Sequence, residues 1–347
     1  MMVMRPHILA AVADSIANYN RIAGGSLRVV DAPFVGPRMA AQKTVEMGSE
    51  FKLRSGQNVV EIDIVNGTWV GMHHYGPDGA CDDVHVRDVE LITHMKWASR
   101  SYRMRSGNKI EYSSIREVLD EHGVYWNLAG GFIKGENALV ISHTFFENIG
   151  SQAVQLVQRT HEQGFDFSAD AIKAAPVIIS DSLMRNVGSG WGGNNRASYA
   201  ISAFGRQVQT PDGKTTLSTD SIEQDFYIRR VMLDNSMQTQ PLGKNGATSH
   251  GALYVGPRPR AFIDGLIALM GKTDRPVARF EGVEDVHMDG CFIHAEGGQA
   301  KIEFENCGRI HVQGCHGNVD LYLKNSVGSV KVGTIETGFV QPGRVTP

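Results

Sequence analysis

Four acidic side chains are the natural starting point for chemistry in this chain: Glu147, Asp166, Asp181 and Asp234. Glycoside cleavage takes two carboxyl groups flanking the bond, about 5 Å apart for retention or about 6.5–9.5 Å for inversion. With Glu162 and Asp170, these are the acids that neighbouring turns of a repeating β-chain, or one loop, could bring together. A lyase would instead need a base and cations to neutralise a uronate carboxylate, for which Arg185, Arg229 and Arg230 are available. The plainer reading of each residue is a solvated polar group on an outward strand position.

A second set suits binding. Trp191, Asn194, Asn195 and Arg196 share one glycine-rich stretch, and Lys244 and His250, with Gln238, Gln240 and Asn245, lie in the next long insertion. Trp offers a flat face to a sugar ring, and amides and guanidinium groups offer directed hydrogen bonds. Together with Arg229 they form a carbohydrate-binding mixture; the alternative is that Trp191 covers the core under a long loop. Residues 188–193 match G-x-G-x-x-G formally, but no helix follows, so the dinucleotide reading fails its context test. His85, His287 and His311 share one repeat position, where stacked imidazoles could catch a metal. No H-E-x-x-H or C-x-x-C motif supports that, and the expectation is an outward ladder with neither metal nor cofactor.

The elements that must position these groups repeat. Residues 137–158 read as a short strand over 139–142, a turn closed by Asn148 and Gly150, and a second strand over 153–157. The same order returns at 177–188 with 198–204, at 227–235 with 252–256, at 262–271 with 277–282, at 286–297 with 300–306, and at 310–317 with 319–325. Residues 286–291 align with 310–315 at an offset of 24 (311 − 287), and Asp181 takes the place of His143 in its copy. Short strands and turns repeating without helices point to a solenoid, because one coil cannot bury its own apolar face. Equivalent residues then stack about 4.8 Å apart: Val286 over Ile310, Met288 over Val312, Cys291 over Cys315. Two families of insertion follow, one within copies (189–197, 236–251, 272–276) and one between copies (160–176, 205–225). Each family should emerge on one side and its members touch.

Three-strand coils of this length, turns of the N-x-G kind and insertions of variable size resemble right-handed parallel β-helix proteins of the pectate-lyase-like and phage-tailspike type. The resemblance covers roughly residues 48–333. The expected fold is all-β: a single-stranded right-handed parallel β-helix (solenoid) with a short N-terminal capping α-helix. Residues 1–25 form the capping or attachment helix, 26–333 the β-helix, and 334–347 a C-terminal tail or subunit contact. Apolar residues at Ile8, Leu9, Val12, Ile16, Tyr19 and Ile22 have helical spacing, and Gly24-Gly25 stops the helix. A first strand is expected over 27–30, and 59–65 and 84–89 read as early coils. Residues 115–119 fit a helical turn or a strand equally.

Composition narrows the partners. The 39 glycines in 347 residues suit a turn-dense β-protein, and the 34 basic and 37 acidic residues nearly cancel. Without a polybasic run a nucleic-acid partner is not expected, and no apolar stretch is long enough to span a bilayer. No secretory signal is legible at the N-terminus, which makes the sequon at residues 66–68 irrelevant. Four cysteines are too few for a disulfide framework, and stacked thiols are the expected state. The resemblance implies a receptor-binding virion protein, synthesised in the host cytoplasm, homotrimeric, contacting other virion proteins, and binding bacterial surface polysaccharide with or without depolymerising it. The alternatives are a non-catalytic structural fibre or decoration protein, and an extracellular bacterial polysaccharide lyase or hydrolase.

Overall fold

The computed structural model describes residues 6–28, backbone segments between 43 and 104, most of 107–326, and the strands Val330–Val332 and Val340–Gly343; within 107–326 the stretches 119–121, 129–137, 163–164, 189–198, 219–220, 237–250, 272, 274 and 297–299 lie outside the described residues. The chain forms three long sheets, each gaining a strand per coil. A leading sheet contains Lys109–Glu111, Leu139–Ser142, Val177–Ser180, Asp225–Arg229, Arg258–Asp264, Val283–Asp289 and Arg309–Gln313. A middle sheet contains Ser114–Val118, Phe145–Ile149, Leu183–Val187, Met232–Asn235, Ile267–Met270 and Phe292–Ala295. A trailing sheet contains His122–Leu128, Gln152–Arg159, Tyr199–Gln209, Gly251–Val255, Ala278–Glu281, Ala300–Glu305 and Val319–Lys324. Successive coils pair parallel in all three, which is the architecture of a parallel β-helix.

The axial register follows the repeat. Val286 pairs with Ile310, His287 with His311 and Met288 with Val312, and one coil earlier Ile263 pairs with Met288. Inward residues form one continuous core from Ile110 to Leu321, with Trp126, Phe146, Phe226, Phe280 and Phe304 among its largest members. Cys291 and Cys315 are free buried thiols at the same corner of adjacent coils.

Each coil has three strands, as the resemblance implies, although only two of them are picked out in each copy of the repeat. The segment Phe145–Ile149, read from sequence as part of a turn, is the middle strand. It lacks alternation because both faces are buried: Phe146 points into the core and Phe145 packs against a helix. Its left-handed Asn148 (φ 55°) also reads as turn chemistry. Ser114–Val118 resolves the 115–119 ambiguity as a strand.

Residues 59–65 are corrected. Asn58–Val65 pairs antiparallel with both Phe51–Ser55 and Trp69–Tyr75, and only Trp69–Tyr75 joins the parallel stack, through Trp97–Met104. Joined through residues 56–57 and 66–68 alone, these strands cannot make the crossover that parallel pairing requires. His85–Arg87 and Val89–Ile92 do join the leading and middle sheets. Leu27 and Arg28 carry no strand; the rest of the 27–30 stretch lies outside the described residues. In the tail, Val340–Gly343 adds to the trailing sheet beside Val319–Lys324.

The helix Pro6–Ala23 forms as its apolar spacing predicts, and among the described residues its apolar contacts are on the middle strands rather than on an end coil. Ile8, Ala11, Val12 and Ile16 pack on Phe145, Leu183, Met232 and Leu269, with Ile267 and Phe292 beside them. These are outward residues of five successive middle strands, so the helix lies along the flank of the solenoid. The physical reason is the ladder Phe145–Leu183–Met232–Ile267–Phe292, an apolar stripe on the outside that needs its own cover. Burying Ile8, Val12 and Ile16 there contributes about 1.5–3 kcal/mol each.

Candidate functional site

Of the four acids, Glu147 and Asp234 come to one face of the middle sheet, two rungs apart with Arg185 between them, while Asp166 and Asp181 lie elsewhere. Glu147 lies on the outer face of the middle sheet between Arg116 and Arg185, 3.9 Å from each. Burial raises its carboxyl above the ordinary value, with the two guanidinium groups opposing. Arg185 turns to Asp14 of the helix at 3.3 Å. Asp234, the next rung after Arg185, accepts from Asn18 Nδ2 at 3.1 Å and from Ser236 Oγ at 2.6 Å. Glu147 and Asp234 therefore belong to the face that the helix covers. Asp166 is 64 % exposed in the 160–176 insertion, where Ser168 N donates to it at 2.8 Å and holds its carboxyl below the usual value.

Asp181 sits at the corner between the leading and middle sheets. This corner takes a left-handed residue in coil after coil: Tyr112 (φ 51°), His143 (48°), Asp181 (51°), Arg230 (50°), then Gly265, Gly290 and Gly314 (64°, 58°, 60°). Only glycine enters that region without a steric cost of about 1–2 kcal/mol. The neighbours His143 and Asp181 are thus brought together, as their shared place in the repeat predicts. Arg230 Nε donates to Asp181 Oδ1 at 2.6 Å, and the Tyr112 and His143 rings stack at 4.7 Å. Burial pushes the His143 imidazole below its ordinary 6.5, with Asp181 and Glu111 pulling it back. Asp181 is already matched by a cation.

Of the binding set, Trp191, Asn194, Asn195, Arg196, Lys244 and His250 lie outside the described residues. The strands that receive their two insertions are described: Tyr199 pairs with Gly251 on adjacent rungs of the trailing sheet. A Cβ at Gly251 would lie 2.2 Å from the Tyr199 ring, so glycine is required for that approach. The between-copy insertions do touch: Thr160 N donates to Gln207 O at 2.9 Å, and Arg206 Nη1 and Nη2 donate to the carbonyls of Asp170 and Ser168. Arg229, at the end of its leading strand, lies over the Tyr227 ring at 5.2 Å.

That strand opens onto a groove the sequence reading did not single out. On the outer face of the leading sheet, Tyr227, Phe262, His287 and His311 stack in four successive coils, with ring centroids 5.0, 5.0 and 5.6 Å apart. Beside them is a groove of about 250 Å³ lined by Phe262, Asp264, His287, Asp289, His311 and Gln313. The ring faces are spent on each other, so edges and polar atoms meet a ligand. His287 Nε2 is 2.9 Å from Asp285. His311 Nε2 is 3.2 Å from Gln313 Oε1; an amide oxygen only accepts, so this nitrogen carries the proton, and among the described residues no acceptor meets the Gln313 NH₂. The signal in the sequence was the repeat position shared by His287 and His311, which do stand beside each other on the outer face; Asp264, Asp289 and Gln313 carried no such signal. Among the described residues no group of three or more His, Cys, Asp or Glu is arranged to hold a metal.

No protein-family model matches this chain, and neither does any curated protein or solved structure.

Proposed function

We propose that this chain is a receptor-binding protein of the phage-tailspike type, a homotrimeric virion component that grips bacterial surface polysaccharide for host-cell attachment. The observation that carries the reading is the groove over Phe262, His287 and His311, which runs along the solenoid axis with Asp264, Asp289 and Gln313 at its edge. A linear polymer laid along that axis meets a similar rung at each coil, about 4.8 Å apart. The pairing of Asp181 with Arg230 and the use of Glu147 and Asp234 under the helix favour binding without cleavage.

The test is binding of the full chain to purified host capsule and lipopolysaccharide, with products assayed in parallel. Binding without new reducing ends or unsaturated uronate is expected, and Gln313→Ala should weaken it about tenfold, the size of one well-made hydrogen bond. Wild-type affinity in Gln313→Ala would remove the groove from the site. Absence of binding to either polymer would favour a structural fibre, a reading to which the mutually stacked rings also lend themselves.

A further inference from the structure

We infer that the groove selects neutral or amine-bearing glycans and rejects acidic ones. The two rails flanking the ring ladder differ. On one side Asp225, Arg260, Asp285 and Arg309 alternate in sign on successive rungs. Arg260 Nε donates to Asp225 at 2.8 Å, and Arg309 Nη2 donates to Asp285 at 2.8 Å. That rail neutralises itself.

The other rail runs Arg229, Asp264, Asp289, Gln313. Asp264 and Asp289 are register partners, about 4.8 Å apart along the axis. Among the described residues neither has a cation within ion-pair distance. Like charges facing each other across strands are destabilising, and elsewhere the molecule supplies cations: Glu281 and Glu305 also face each other, but Arg279 reaches both and Lys324 reaches Glu305, while Asp181 has Arg230 and Glu147 has Arg116 and Arg185. The pair lines the groove together with the Phe262, His287 and His311 rings and the Gln313 amide.

Ionised carboxylates only accept hydrogen bonds, so a ligand here must bring donors, either sugar hydroxyls or an ammonium group. A uronate, sialate or phosphate would add a third negative charge beside two that already lack partners. Like-charge juxtaposition of this kind rejects wrong partners more than it adds affinity for right ones. The selectivity rests on the reading of the groove as a glycan site, and it names the chain class that site takes.

The experiment compares binding of the full-length protein to a neutral glucan, chitosan oligosaccharides and polygalacturonate of similar length, for wild type and the double variant Asp264→Asn, Asp289→Asn. The neutral and amine-bearing chains should bind, with polygalacturonate at least tenfold weaker. The double variant should lose at least tenfold in its preference for chitosan over polygalacturonate, and its thermal midpoint should rise as the repulsion is relieved. Polygalacturonate binding as well as chitosan in wild type, or a double variant with an unchanged ratio or a lower midpoint, would overturn the selectivity while leaving a glycan site in place. Failure of all three chains together with host capsule would remove the site itself, and the selectivity with it.

Discussion

Asn18 donates its side-chain amide to Asp234 across 216 positions of sequence, at 3.1 Å, and joins the N-terminal helix to a rung in the middle of the solenoid. Beside it, Asp14 meets Arg185 and the Tyr19 ring meets Phe292 edge-on at 5.2 Å. The helix is thus held by polar contacts of defined register as well as by apolar area.

Placing a charge in that interface should release the helix. Ile16→Asp puts a carboxylate into the apolar cluster that the helix forms with Phe145, Leu183, Met232 and Leu269. A loss of about 3 kcal/mol or more is expected in urea unfolding, with the helix becoming the first segment cut by limited proteolysis. A variant as stable and as resistant as wild type would show that the flank does not need its cover.

Arg258 is buried completely, among the described residues no carboxylate pairs with it, and burial pulls its guanidinium down to about 10. Its Nε donates to Gly256 O at 3.1 Å, and its Nη2 donates to the carbonyls of Ala203 and Phe204 at 2.8 and 3.0 Å. Arg258→Ala takes a donor from each of those carbonyls, of which Ala203 O keeps the Gly256 N–H at 2.8 Å, and opens a cavity, and should cost about 3–5 kcal/mol. Arg258→Lys should recover little of it, since an ammonium cannot fork to the same acceptors. A fully stable lysine variant would refute the role given to the planar group.

Acid should weaken the fold through its half-buried histidines. Burial lowers the imidazoles of His143 and His294 below 6.5, so the unfolded chain takes up their protons first. Their contribution is complete above pH 6.5 and is lost as the pH falls from there through the folded-state values. Glu147, raised above 4.5, acts with the opposite sign, its contribution present in acid and lost as the pH rises through its folded value. Urea midpoints from pH 7.5 downward should therefore decline, and His143→Gln should flatten the decline. An unaltered slope in that variant would remove His143 as a source.

Much of the scaffold was legible in the sequence, and the reason is geometric. Stacking forces residues one coil apart into equivalent environments, so Val286, Met288 and Cys291 return as Ile310, Val312 and Cys315. The middle strand escaped because the helix buries the outside of Phe145 and Leu183, which removes the alternation that marks a half-solvated strand. Residues 59–65 misled because an antiparallel ribbon alternates as a coil strand does. Among the site residues, the nearness of His143 and Asp181 was readable from their common place in the repeat. The engagement of Glu147 and Asp234 was not, because the groups that occupy them come from the distant helix and the next rung. Asp264 and Asp289 were not picked out, because each precedes a left-handed glycine at a corner of the repeat and looks like part of the turn.

In a solenoid each coil touches only the coils before and after it, so fraying could in principle advance inward from either end one step at a time. The helix Pro6–Ala23 changes that, because it rests on strands from Phe145–Ile149 to Phe292–Ala295 at once. It acts as a splint that makes five links of a chain of local contacts open together or not at all, leaving the coils beyond it to loosen separately.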